Sequence, residues 1–168
     1  AQLGLVGFGR IAQAVAARAS VFGVRVVYAA RRDMGVASAA RVPLDELLAT
    51  SDLVSLHVPL TPETHHLIDA RALARMKPSA YLVNTARGPV VDEASLADAL
   101  ARRVIAGAAL DVYEEEPVVH PGLLALENVL LVPHLGSGTT GTRTAMAQLA
   151  VDNVAAVLSG RSPLTPIL

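Results

Sequence analysis

The chain of 168 residues is 52% apolar and 17% charged, with 14 basic against 15 acidic side chains and no cysteine. Those proportions fit one compact globular domain and exclude a disordered chain, a disulfide framework, a zinc-thiolate site and a cysteine nucleophile. A formal net charge of -1 removes the electrostatic case for nucleic acid as a partner, because phosphate backbones are held by faces rich in Lys and Arg. The apolar stretches Leu53 to Leu60 and Val104 to Leu110 are strand-length, far short of the ~18 residues of a membrane span, and no signal peptide is visible. The chain reads as soluble and cytoplasmic, with no membrane partner.

In chain order the pattern predicts a strand at Leu3 to Val6, a helix from about Arg10 to Phe22 and a strand at Val24 to Ala29. A short helix at Leu44 to Ala49, a strand at Leu53 to Leu56, a helix at Ala70 to Arg75 and a strand at Ala80 to Val83 follow. The rest reads as a helix at Asp92 to Arg102, strands at Val104 to Leu110 and Val129 to Val132, and a long helix at Thr139 to Leu158. Near-continuous apolar strands alternating with helices predict a doubly wound parallel α/β sheet of Rossmann type. Residues 1–160 read as the dinucleotide-binding domain, and 161–168, with two prolines, as a tail that leaves it.

The first strand runs into Gly7-Phe8-Gly9-Arg10-Ile11-Ala12 and then a helix, the context the G-x-G-x-x-A dinucleotide fingerprint demands. Gly7 permits the tight turn, Gly9 lets backbone approach a pyrophosphate, and Ala12 allows close packing of helix on strand. The helix start, with Arg10 and Ile11, offers N–H groups to phosphate. At the end of the second strand, where an NAD site carries Asp or Glu for the ribose, the sequence reads Ala29-Ala30-Arg31-Arg32. Ala29 leaves room for a 2′-phosphate and the two guanidinium groups can pair with it, which favours NADP over NAD.

Four further segments begin at strand ends and should converge on one cleft: His57-Val58-Pro59, Asn84-Thr85-Ala86-Arg87-Gly88, Asp111-Val112-Tyr113-Glu114-Glu115-Glu116-Pro117 and Pro133-His134-Leu135-Gly136. With these in order, nearly the whole chain resembles the nucleotide-binding domain of the D-isomer-specific 2-hydroxyacid dehydrogenases. The resemblance implies a substrate carboxylate bound by Arg87, a histidine acid/base at His134 and a supporting carboxylate at Glu116. It further implies that Val58, Pro59, Thr64, Thr85, Ala86, Asp111, His134 and Gly136 line the cofactor site, and that the longer protein is a homodimer. Reductases of glyoxylate and hydroxypyruvate, or glycerate dehydrogenases, are nearest in flavour, with small 2-oxo or 2-hydroxy acids as substrates.

Those residue types suit the chemistry independently. A guanidinium holds a carboxylate bidentately, and an imidazole with a pKa near ~6.5 exchanges a proton around neutrality. His57 reads as a packing residue, and His65, His66 and His120 as solvated. No histidine and carboxylate pair has ligand spacing, so no metal is expected. Family members are longer than this chain, which starts at Ala1 and looks like an excised domain. A dinucleotide-binding module without turnover, or a dinucleotide-sensing regulator of the corepressor type, is therefore a competing reading. None of Tyr28, Tyr81 and Tyr113 is followed four residues later by lysine, which disfavours short-chain dehydrogenases.

Overall fold

The computed structural model of the chain describes residues 1–36 and 38–166. Its strands are β1 (Gln2–Val6), β2 (Arg25–Ala29), β3 (Ala40–Arg41), β4 (Leu53–Leu56), β5 (Tyr81–Asn84), β6 (Gly107–Leu110) and β7 (Val129–Leu131). The helices are α1 (Arg10–Ala19), α2 (Leu44–Thr50), α3 (Ala70–Arg75), α4 (Glu93–Ala101), α5 (Pro121–Leu124) and α6 (Thr140–Leu158). All strand pairings are parallel, in the order β3-β2-β1-β4-β5-β6-β7. This is the doubly wound sheet the alternation predicts. The chain winds outward from β1 in one direction to β3 and in the other to β7, so the order reverses between β1 and β4. There Val6 pairs in register with Ala29 on one side and Leu56 on the other, which puts a crevice outside the carboxyl ends of these strands.

Successive residues of β1 and β2 serve opposite faces. Leu3, Leu5, Val26 and Tyr28 pack with Phe8, Ala12 and Ala16 on the α1 side. Val6 and Val27 join the larger cluster with Leu47 and Leu48 of α2, Leu73 of α3 and Leu96 and Leu100 of α4. A fully buried Leu contributes ~1.5–3 kcal/mol. A β-carbon on Gly4 would meet Leu47 Cδ2 at 2.6 Å, so glycine here lets α2 lie directly on the sheet.

Helix ends follow local chemistry. Asp69 accepts from Ala72 N at 2.8 Å and Asp92 from Ser95 N at 3.0 Å, capping α3 and α4. The helix expected to Phe22 ends at Ala19 and continues as a 3₁₀ turn over Ser20–Phe22, closed by Gly23 at φ +67°. The strand expected from Val104 starts only at Gly107. Arg103 at φ +58° and the bond from Val104 N to Ala99 O wrap the end of α4 in a Schellman-type turn that uses up the first apolar residues.

The chain packs as two compact units, Ala1–Pro133 and His134–Leu168. In the second, Thr139 caps α6 by accepting from Thr142 N at 3.2 Å. The tail bonds back to that helix, Thr165 N donating to Asn153 Oδ1 at 3.1 Å. Among the described residues no helix is long and apolar enough to cross a membrane.

Candidate functional site

The two glycines of the first turn do different work. Gly7 stands at φ +86° and its N–H donates to Ala29 O at 2.8 Å, while a β-carbon there would meet His57 O at 2.7 Å and Val58 Cγ1 at 2.9 Å. Only glycine combines that backbone with that approach. A β-carbon on Gly9 would meet nothing within 4 Å, so this backbone faces open space. Gly9 is also the N-cap of α1, with no side-chain cap and no acidic residue in the first turn. The positive end of the helix is therefore left for an anion, as a pyrophosphate requires. Ala12 is fully buried beneath it, and Arg10 and Ile11 stand exposed on the first turn.

From this turn extends a cleft of about 1450 Å³ whose walls include Gly7, Gly9, Ala29, Arg31, Arg32, Val58, Pro59 and Thr64. These were all expected from the sequence. Arg31 and Arg32 are exposed at its rim. The structure adds residues that the sequence reading passed over. Arg41 donates through Nε to Ala30 O at 3.0 Å and through Nη2 to Arg31 O at 3.2 Å, bracing the backbone that carries both arginines. Tyr28 donates its phenolic proton to Asp33 Oδ1 at 2.6 Å, and that bond is the main cause holding the Asp33 carboxyl below its ordinary value. Glu63 also lines the cleft, and a hydrogen bond from Thr61 holds its carboxyl low, with a smaller attraction from Arg31. His57 is half-buried, with Ser55 Oγ at 3.0 Å from its Nε2, and burial pushes its imidazole below the ordinary value. It packs as expected, and it also lines the cleft.

A second group lies outside the ends of β5 and β6. Asn84, 1% exposed, folds the next turn: its Oδ1 accepts from Ala86 N at 3.0 Å and its Nδ2 donates to Arg87 O at 3.0 Å. This presents Thr85 and Arg87 outward, with Ala86 half-buried between them. Asp111 is buried, and its N–H donates to Asn84 O at 2.9 Å. Gly88 is packed so closely on the Tyr113 carbonyl that a β-carbon there would overlap it. The Arg87 turn thus docks on the segment leading to Glu116, whose Oε1 accepts from Tyr113 N at 3.3 Å.

The acid segment is anchored by a carboxylate that the sequence reading missed. Glu93, on the first turn of α4 and 3% exposed, accepts from Glu114 N at 2.7 Å through Oε1 and from His120 N at 3.3 Å through Oε2. Burial raises its pKa, opposed by those two N–H donors. Two histidine readings need correction. His66 is not simply solvated: Nε2 pairs with Glu114 Oε1, and its backbone N–H donates to Pro89 O at 2.8 Å beside the Arg87 turn. His120 caps α5, its Nδ1 accepting from Gly122 N at 3.1 Å. The Glu114 partner of His66 lies 48 residues away, so no local signal marks it, whereas His120 caps through Gly122, two residues on. His65 is exposed and lies against His66 with ring centres 4.0 Å apart.

His134 and Gly136 open the second unit. His134 is exposed with φ +52°, and the turn after it closes with Gly138 N donating to Leu135 O at 2.8 Å, just ahead of α6. Among the described residues no group of three His, Asp or Glu side chains could hold a metal ion.

A sequence profile described as "D-isomer specific 2-hydroxyacid dehydrogenase, NAD binding domain" matches residues 1–136. The chain belongs to that family. It is 51% identical to a glyoxylate reductase of Thermococcus onnurineus over 170 residues, covering 97% of this chain and 50% of the relative. It is 51% identical to a glyoxylate/hydroxypyruvate reductase B of Pectobacterium carotovorum, covering 94% of the chain and 51% of that protein. Among solved structures it resembles an NADPH-dependent glyoxylate/hydroxypyruvate reductase of Sinorhizobium meliloti in complex with NADP and malonate, with a TM-score of 0.95 at 40% identity, covering 99% of the chain and 52% of the other. The chain thus spans about half the length of the curated relatives it matches. For a member of this family, an uncapped α1 beside an open Gly9 and a basic rim after β2 fit the nucleotide.

Proposed function

We propose that the chain is the nucleotide-binding domain of a reductase that transfers hydride from a nicotinamide dinucleotide, NADPH in preference to NADH, to a small 2-oxo acid such as glyoxylate or hydroxypyruvate. The observation that carries this reading is the docking of the Arg87 turn, through Gly88, on the Tyr113 backbone next to Glu116. It holds a cation and a carboxylate at neighbouring strand ends in a domain whose relatives are such reductases. The cofactor, when bound, supplies the hydride and takes it back in oxidation.

The chain's own residues do the rest. Arg87 holds the substrate carboxylate with a planar fork, fixing the carbonyl carbon for attack. His134 gives a proton to the developing alkoxide, and Glu116 is the carboxylate that supports it. Val58, Pro59 and Thr64 after β4, with Thr85, Ala86 and Asp111 after β5 and β6, would hold the dinucleotide. Gly9, Arg10 and Ile11 at the start of α1 would hold the pyrophosphate. Gly136 contributes backbone beside His134. The longer protein is read as a cytoplasmic homodimer, and size-exclusion chromatography checks the dimer.

The test has two parts. Fluorescence titration of the chain should give tighter binding of NADPH than of NADH, and replacing Arg31 and Arg32 by alanine should erase most of the difference, ~1–3 kcal/mol. In the full-length protein His134→Ala should cost ~10²–10⁴ in kcat for glyoxylate with little effect on cofactor affinity, and Arg87→Ala should impair both KM and kcat. Glu116→Gln should lower kcat for glyoxylate, with little effect on cofactor affinity. Binding of dinucleotide with no turnover in the full-length protein would favour a binding module or sensor instead.

A further inference from the structure

The loop after β2 holds an acid that ought to neutralise its two arginines. Asp33 follows Arg31 and Arg32 directly and borders the same cleft, yet it forms no ion pair with either among the described residues. Its Oδ1 is taken twice, by the Tyr28 hydroxyl at 2.6 Å and by Gly35 N at 3.0 Å. The same hydroxyl accepts from Met34 N at 3.0 Å. Tyr28 is itself fully buried in β2, its ring stacked on Phe8 with centres 4.0 Å apart and planes 15° from parallel. Phe8 sits between Gly7 and Gly9. One stack of two rings therefore joins the glycine turn to the loop, and only the phenolic oxygen reaches out to the acid. A bare aromatic would fill the core equally well, so the hydroxyl calls for its own account.

We infer that Tyr28 is a selectivity residue for the dinucleotide: by binding the Asp33 carboxylate inside the loop it leaves Arg31 and Arg32 to the phosphate of a 2′-phosphorylated ribose. The inference rests on the cofactor reading above. An O–H donated to a carboxylate is among the stronger hydrogen bonds, and the Gly35 N–H donates to the same oxygen. Arg41, anchored on Ala30 O and Arg31 O, keeps the backbone in place while this happens. Without the hydroxyl the carboxylate is released toward the rim, where it competes for the arginines and repels a doubly charged phosphate. At about 6 Å in water a unit charge and such a phosphate repel by an amount equal to roughly tenfold in affinity at low salt.

The test is titration of the chain with NADPH and with NADH at low ionic strength, comparing the unsubstituted protein, Tyr28→Phe, Asp33→Asn and the double variant. Tyr28→Phe keeps the ring stack and should weaken NADPH binding about tenfold while changing NADH binding less than about twofold. Adding Asp33→Asn should restore NADPH binding, since the released group then carries no charge. An unchanged NADPH to NADH ratio in Tyr28→Phe overturns the inference. So does a double variant as weak as Tyr28→Phe, which would mean that the hydroxyl only orders the loop. Equal affinities for the two dinucleotides in the unsubstituted chain, or a preference that survives loss of both arginines, would instead overturn the phosphate reading itself.

Discussion

Gly88 lies against the carbonyl of Tyr113 with no room for a β-carbon between them. This contact joins two loops that enter the site from different strands, one carrying Arg87 and the other Glu116. Gly88→Ala must push them apart or strain both. Such overpacking typically costs ~1–3 kcal/mol and here acts on the relation between the two loops. A lowered urea midpoint is the expected outcome, with the amides of the Gly7 to Gly9 turn exchanging with deuterium as in the unsubstituted chain.

Gly9→Val should do the reverse. With nothing within 4 Å of its β-carbon, the substitution starts in open space and should leave the circular dichroism spectrum unchanged. It would fill the space over the start of α1 that a pyrophosphate needs, so dinucleotide binding should be lost. A folded variant that binds normally would refute the fingerprint.

Glu93→Gln replaces one of two accepting oxygens by an NH₂ that faces a backbone N–H. A buried donor left without an acceptor costs ~1–3 kcal/mol. The amides of Glu114 and His120 should exchange with deuterium faster in this variant, while those of β1 and β2 should not.

His57 gives a pH dependence whose sign is fixed by burial. Its folded pKa is depressed, so as pH falls past about 6.5 the unfolded chain takes up a proton that the folded chain does not. Stability contributed above that pH is lost progressively until the lower folded pKa is passed. Urea midpoints at about pH 7.5 and 5.5 should fall less on acidification in His57→Gln than in the unsubstituted chain.

How much of this was legible in the sequence depended on the range of the interactions involved. The strand Leu53–Leu56 and the helix Ala70–Arg75 fall where the pattern predicts them, because a short apolar run and the Asp69 cap are local signals. The two-residue strand β3 and the four-residue helix α5 are too short to carry any periodicity, and neither was anticipated. Arg103 hid the true start of β6 because a non-glycine residue takes the left-handed position that usually announces a helix end. Among the site residues, those lining the cleft could be read from motifs at strand ends. The residues that hold them could not: Glu93 reaches the acid segment across 21 residues, and His66 across 48. Tyr28 and Asp33 are only five apart, but a tyrosine in an apolar strand looks like core until its hydroxyl is seen to leave it.

The seven-stranded sheet ends on both sides in its shortest members, β3 with two residues and β7 with three. An outermost strand exposes unpaired N–H and C=O groups on which another chain can lay a strand of its own. Two or three residues offer too few of them to template such growth. Parallel sheets assemble slowly, since every pairing waits for a crossover to close. During that wait the stunted margins protect the chain from joining its neighbours into aggregates.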